Sequence, residues 1–132
     1  MSSGDSFNGI AGTLTCINPA DLSTVKQFFF TAADYPVRLS VNPSGDRMYY
    51  LNNGLYELDI EANELPSSAL AAQGEGSYFY GLGVDPFSGM IYVADALDFS
   101  QRGAMLRFED DGTAIDTFRT GIIPGSFVFA EK

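Results

Sequence analysis

Apolar and polar residues alternate with a period of two along much of the chain. Leu55-Tyr56-Glu57-Leu58-Asp59-Ile60 and Met105-Leu106-Arg107-Phe108 show it most clearly. Side chains of a strand point alternately to its two faces, so this pattern predicts half-buried β-strands. No stretch carries a convincing helical period. The Ala-rich segment from Ser67 to Gln73 falls where neighbouring units place a strand, which predicts an edge strand or an irregular edge.

The alternating segments recur. Val41-Asn42-Pro43-Ser44-Gly45-Asp46-Arg47-Met48-Tyr49 returns as Val84-Asp85-Pro86-Phe87-Ser88-Gly89-Met90-Ile91-Tyr92, with 43 residues between Tyr49 and Tyr92. A period in the low forties, made of short strands and turns, is the length of one four-stranded propeller blade. Four strand types follow in order. The first is Val37 to Val41, Gly81 to Val84 and Ser126 to Phe129. The second is Met48 to Leu51 and Met90 to Ala94. The third is Thr13 to Ile17, Leu55 to Ile60 and Ala104 to Phe108. The fourth is Thr24 to Phe30, Leu65 to Leu70 and Ala114 to Arg119. Each Pro-initiated turn holds a glycine, Gly45 or Gly89, at a place that calls for positive φ. Asn52-Asn53-Gly54 and Asp110-Asp111-Gly112 are tight hairpin turns. The segment from Leu97 to Arg102 lengthens the third unit and reads as an inserted loop, of the kind that often carries function.

This predicts an all-β chain of propeller-type four-stranded antiparallel blades, about three in number. Residues 1–11 read as a flexible N-terminal segment and residues 12–132 as one domain. That domain comprises a half-blade at 12–30, blades at 37–70 and 79–120, and a closing strand at 124–130. Closure then has two routes: the terminal half-blades meet, or each pairs with a second chain to give about six blades.

Composition narrows the function classes. The net charge is −10, from 17 acidic and 7 basic residues. A field of that sign repels phosphate backbones and anionic lipid, so nucleic-acid and membrane-surface roles are disfavoured. No apolar run is long enough to cross a bilayer, so direct membrane insertion is not expected. With no histidine, the Ser-His and Cys-His nucleophiles and His-ligated zinc are excluded. Cys16 stands alone, so no intrachain disulfide forms. No phosphate-binding or dinucleotide fingerprint occurs. Gly81-Leu82-Gly83 reads as a closely packed inner strand instead.

The Pro-x-Gly turn followed by Ile91-Tyr92-Val93-Ala94-Asp95 resembles the YVTN-type, YncE-like β-propeller family. The segments Tyr92 to Phe99, Arg102-Gly103, Asp111-Gly112 and Gly121 to Phe129 are similar to the C-terminal end of Bacteroidetes surface propellers of that family. The resemblance implies exported lipoproteins of about seven blades, with ligands gathered at the outer face. It also implies that some relatives capture cobalamin for an outer-membrane transporter. Set against that pattern, this chain reads as about three blades without a lipoprotein signal, as expected of the C-terminal part of a longer protein or of a short version that completes its ring another way.

The chemistry available is carboxylate and aromatic. Asp95 and Asp98 stand at a strand end and the inserted loop, and Glu109, Asp110 and Asp111 cluster at a hairpin. Carboxylates so placed accept turn amides or, alternatively, hold a hard cation. Tyr35, Tyr56, Tyr78, Phe79, Tyr80 and Phe99 are not all required by alternation. Aromatics of this kind can stack on a sugar or a flat ring. The expected ligand-binding set is Tyr78, Tyr80, Asp95, Asp98, Phe99 and Arg102, with no catalytic residue, metal or cofactor. The expected function is a non-enzymatic binding propeller at the cell surface, taking a corrinoid-like small molecule or a glycan. The alternatives are a structural or protein-interaction module, including self-association to complete a ring, and a propeller hydrolase or lyase.

Overall fold

The computed structural model describes residues 1–131 and is all-β. Strands β1 (Thr13–Ile17) and β2 (Thr24–Phe29) form a two-stranded half-blade. Strands β3 (Val37–Val41), β4 (Arg47–Leu51), β5 (Gly54–Asp59) and β6 (Ala71–Ala72) form the second blade, in that spatial order. Strands β7 (Phe79–Val84), β8 (Ile91–Asp95), β9 (Arg102–Phe108) and β10 (Ala114–Ile122) form the third. Every pairing is antiparallel. These are propeller-type blades: two complete and one half.

The repeat holds in register. Tyr49 pairs with Ser40 and Tyr92 with Gly83, so both tyrosines sit at the same rung of their sheets. Val41 opposes Met48 as Val84 opposes Ile91. Gly45 and Gly89 hold φ of 77° and 78°, the left-handed conformation that glycine adopts without Cβ strain. The turns differ in one respect. Gly45 donates its N–H to the Asn42 carbonyl, whereas Gly89 donates to Asp85 from one position later.

The apolar sequence of the second strands follows from burial on both faces. Tyr49 and Leu51 face the third blade, where they pack with Leu55, Phe79, Ile91, Val93 and Phe108. Tyr50 lies on the opposite face and packs with Leu14, Phe28, Phe30 and Leu58 against the half-blade. The third blade alternates likewise. Ile91 and Val93 face the second blade, and Tyr92 turns to the far side. The core is thus two face-to-face seams, with β3 lying against β7 nearest the centre of the array.

Two sequence expectations are corrected. The fourth strand of the second blade is not Leu65 to Leu70 but the two-residue Ala71–Ala72, which pairs with Leu55 and Gly54. Leu70 still donates its N–H to the Leu55 carbonyl at 2.8 Å. An outermost strand needs one partner only, so a short ladder suffices there. Ser126 to Phe129 forms no strand. It crosses the outer face of the third blade, with the Phe127 and Phe129 rings 5.9 and 5.3 Å from Tyr92. Gly81 and Gly83 leave room for it. A Cβ at Gly81 would come 2.9 Å from the Gly125 carbonyl, and one at Gly83 would come 3.0 Å from Phe127.

Residues 1–11 fold back on the start of β1. Ser2 and Thr13 exchange two backbone hydrogen bonds, and Asp5 bridges to Ile10. Asp5 also accepts from the Phe7 and Asn8 amides, which closes a short 3-10 turn over Ser6–Asn8.

Candidate functional site

One end of the array brings together the entries to β3 and β7 and the exits from β4 and β8. A matched pair of clamps builds it. Tyr35 and Tyr78 stand 43 residues apart, as do Asn52 and Asp95. The Tyr35 N–H donates to Asn52 Oδ1 at 3.0 Å, and the Tyr78 N–H donates to Asp95 Oδ1 at 2.7 Å. A side-chain oxygen at the end of each second strand therefore holds the backbone entering the first strand of its own blade. In the second blade, Asn52 Nδ2 also donates to Asp34 at 2.8 Å. That bond, with those from Thr31, holds the Asp34 carboxyl below the usual aspartate range. In the third blade, Asp95 Oδ1 takes a second donor, the Leu97 N–H, at 2.9 Å.

Between the clamps lie two adjoining cavities of about 380 and 390 Å³. Tyr35, Val37, Tyr78 and Phe79 line both. Asn53, Gln73 and Ser6 line the first, and Arg38, Tyr80 and Ser3 the second. No carboxylate lines either one, although the chain has 17 acidic residues and 7 basic. The rim is aromatic: the Phe99 ring meets Tyr78 edge-on at 4.9 Å and Tyr80 at 5.6 Å. The inserted loop thus reaches back to the inner strand of its own blade.

Arg38 joins the two blades here. Its Nε donates to the Tyr80 carbonyl at 2.9 Å, and its guanidinium stands 5.2 Å from the Tyr80 ring centre. The pairing of β3 slips between Val37 and Leu39, so Arg38 is the extra residue of a bulge. It holds φ of 58°. Asn53, Leu97 and Phe99, at the same end, also hold positive φ, between 50° and 62°. Left-handed non-glycine residues cost of order 1–3 kcal/mol each and gather where the fold aims side chains for a purpose.

The residues predicted from sequence divide into two groups. Tyr78, Tyr80 and Phe99 come together on the rim. Asp95 is buried beneath it, with its Oδ1 taken by two amides. Asp98 Oδ1 accepts the Ser100 and Gln101 amides at 3.0 Å, which lower its pKa and close the inserted loop. Arg102 donates Nε to the Thr120 carbonyl at 2.9 Å, on the outermost strand, and lines neither cavity. Of the other aromatics, Phe79 is core and Tyr56 stacks on Tyr50 at 5.4 Å. Tyr35, Arg38, Asn53 and Gln73 are among the lining residues absent from the predicted set. Tyr35 was signalled as an aromatic that alternation does not require and by its 43-residue spacing from Tyr78; the other three gave no signal as ligands. Among the described residues, no three His, Cys, Asp or Glu side chains gather to hold a metal ion.

No family profile and no curated protein matches the chain. Among solved structures it is similar to a quinoprotein alcohol dehydrogenase-like protein of Bacteroides thetaiotaomicron, with a TM-score of 0.67 and 13% identity. The match covers 89% of this chain and 32% of that one, so the chain spans about a third of its neighbour's length. At that identity the likeness carries the fold and no activity, and the fold it supports is that of a partial propeller.

Proposed function

We propose that this chain is a non-enzymatic binding module of a YVTN-type propeller, displayed at the cell surface. Its ligand, a small molecule or a glycan, is taken up between the second and third blades. The observation that carries this reading is the aromatic rim of Tyr35, Tyr78, Tyr80 and Phe99 beside two cavities free of carboxylates. Half-exposed rings held in place by backbone clamps offer flat apolar faces without an ordering cost at binding. Amides and hydroxyls around them give orientation, as ligand sites require. Nothing on this rim pairs a nucleophile with a base, so binding is the chemistry on offer.

Titration of the isotope-labelled chain with hydroxocobalamin and a panel of oligosaccharides tests this. The amide signals of residues 35–38, 78–80 and 96–99 should move together. Tyr78→Ala should weaken binding by at least about tenfold, the loss of one stacking contact. If no member of the panel shifts those signals at about 1 mM, a concentration that detects even weak sites, the reading is wrong.

A second reading, self-association, draws on the two unlike ends of the array. The half-blade exposes Ile17, Val25 and Phe29, next to an apolar cleft of about 450 Å³ lined by Leu14, Phe28, Leu39 and Met48. Apolar surface of this kind calls for a partner, and a second copy supplies one of matching chemistry. Light scattering at micromolar concentration should give twice the chain mass, and Phe29→Glu should return the monomer. A monomeric parent chain rules the reading out.

A further inference from the structure

We infer that the ligand of this face is an acidic saccharide, and that Arg38 is the residue that holds its charged group. The inference rests on the binding reading above and names its ligand class.

Three observations converge on it. The first is charge. In a chain of net charge −10, a groove without a lining carboxylate and with one guanidinium is the local inverse of the whole surface. Such a site admits an anion where the rest of the protein repels one. The second is the state of Arg38. It is exposed, and no carboxylate forms an ion pair with it among the described residues. Its Nε is spent on the Tyr80 carbonyl, which restrains the guanidinium, while Arg38 lines the second cavity and its two Nη groups have no hydrogen-bond partner among the described residues. A guanidinium held in this way keeps its fork for a carboxylate or sulfate. The third is backbone strain. The bulge re-aims Arg38 from the sheet toward the rim and holds it in the left-handed region. Blade three has Gly81 at the equivalent repeat position, so no demand of the repeat itself places a long cationic side chain there.

The remaining lining fits a sugar. Tyr35 and Tyr78 line both cavities, and their rings can stack on the apolar C–H face of a pyranose. Gln73 Oε1 accepts the Phe79 N–H, which orients its NH₂ as a donor to hydroxyls, and Asn53 adds a second amide. An acidic ring thus has a counterpart for each of its parts: apolar face, hydroxyls and charge.

The test is calorimetric titration with four acidic oligosaccharides, each beside a neutral counterpart. They are trigalacturonate and its methyl ester, an alginate trimer and its methyl ester, sialyllactose and lactose, and sulfated lactose, again beside lactose. At least one acidic member should bind about tenfold or more tightly than its neutral form, the effect of one charge-assisted hydrogen bond. That preference should shrink as salt rises. Arg38→Asn should abolish it, because asparagine tolerates positive φ but carries no charge. Arg38→Lys should restore part of it. Near-UV circular dichroism confirms that each variant keeps its fold. If acidic and neutral forms bind alike and Arg38→Asn changes nothing, the inference fails while the binding reading stands. Binding of the corrinoid alone has the same consequence. If nothing in either panel binds, both fall.

Discussion

Tyr49→Ala should remove about 3–5 kcal/mol of folding stability, the cost of truncating a large buried aromatic. Tyr49 is fully buried in the seam between the complete blades. Its hydroxyl also donates across that seam to the Asp110 carbonyl, at a long 3.5 Å. Alanine would leave a cavity bounded by two sheets, neither of which can collapse without breaking its own ladder. A domain of this size has about 5–15 kcal/mol in total, so the loss is a large fraction of its stability. Tyr92 makes the sharper comparison. It occupies the same rung one blade later but packs against Phe127 and Phe129 on the outer face, with Arg107 beside its hydroxyl. Tyr92→Ala should cost about 1–2 kcal/mol, mostly lost ring contacts. Urea melts of the two variants decide the matter. Equal losses would mean that the seam and the outer face are not organised as described. Tyr49→Phe should stay close to the parent, because the hydrogen bond lost is weak.

Asp95→Ala should cost about 2–4 kcal/mol, because it strands two amides, each worth about 1–3 kcal/mol when buried and unpaired. Tyr78 N–H and Leu97 N–H both end on Asp95 Oδ1, and the residue is only 3% exposed. The damage should be local first. Hydrogen exchange should quicken at Tyr78 and Leu97 before the outer strands respond. Asp95→Asn is the control, since asparagine performs the same task at Asn52 in the second blade. It keeps an acceptor oxygen and should cost about 1 kcal/mol or less. If Asp95→Ala were as mild as Asp95→Asn, the carboxylate would be no clamp.

The blades were legible because their signal is redundant. Alternation, turn chemistry and a fixed spacing all place Tyr49 and Tyr92 in one role, and ladder register follows from that. What escaped sequence reading lay where only one of these signals speaks. Phe127 and Phe129 point inward and Val128 outward, 94% exposed, which is period-two alternation without a ladder. The pattern reports which side chains are buried and says nothing about whether a hydrogen-bonding neighbour exists. The outer edge at Ala71–Ala72 failed for a related reason: a strand with one partner and little packing imposes almost no pattern. Asp95 could be read two ways from residue type, as a ligand or as an acceptor of turn amides; in the structure its Oδ1 takes two amides, and Asn52 has the same role 43 residues earlier. Arg38 gave no sign at all, because a bulge that shifts one residue out of register leaves no mark on composition.

The clamps at Asn52 and Asp95 have a bearing on how this architecture tolerates change. In the second blade the chain passes from β4 to β5 through Asn52 and Asn53 alone; in the third it passes from β8 to β9 through residues 96–101. Each clamp ties the strand exit to the strand entry of its own blade, so the sheet is fastened before the chain departs. Length added beyond that point does not disturb the register behind it. The position just after the clamp is therefore a port for new sequence. A peptide grafted between Asn53 and Gly54 would be displayed beside the aromatic rim, where the third blade already carries its own insertion. Specificity can then be rewritten by exchanging cassettes at either port while the blades themselves stay as they are.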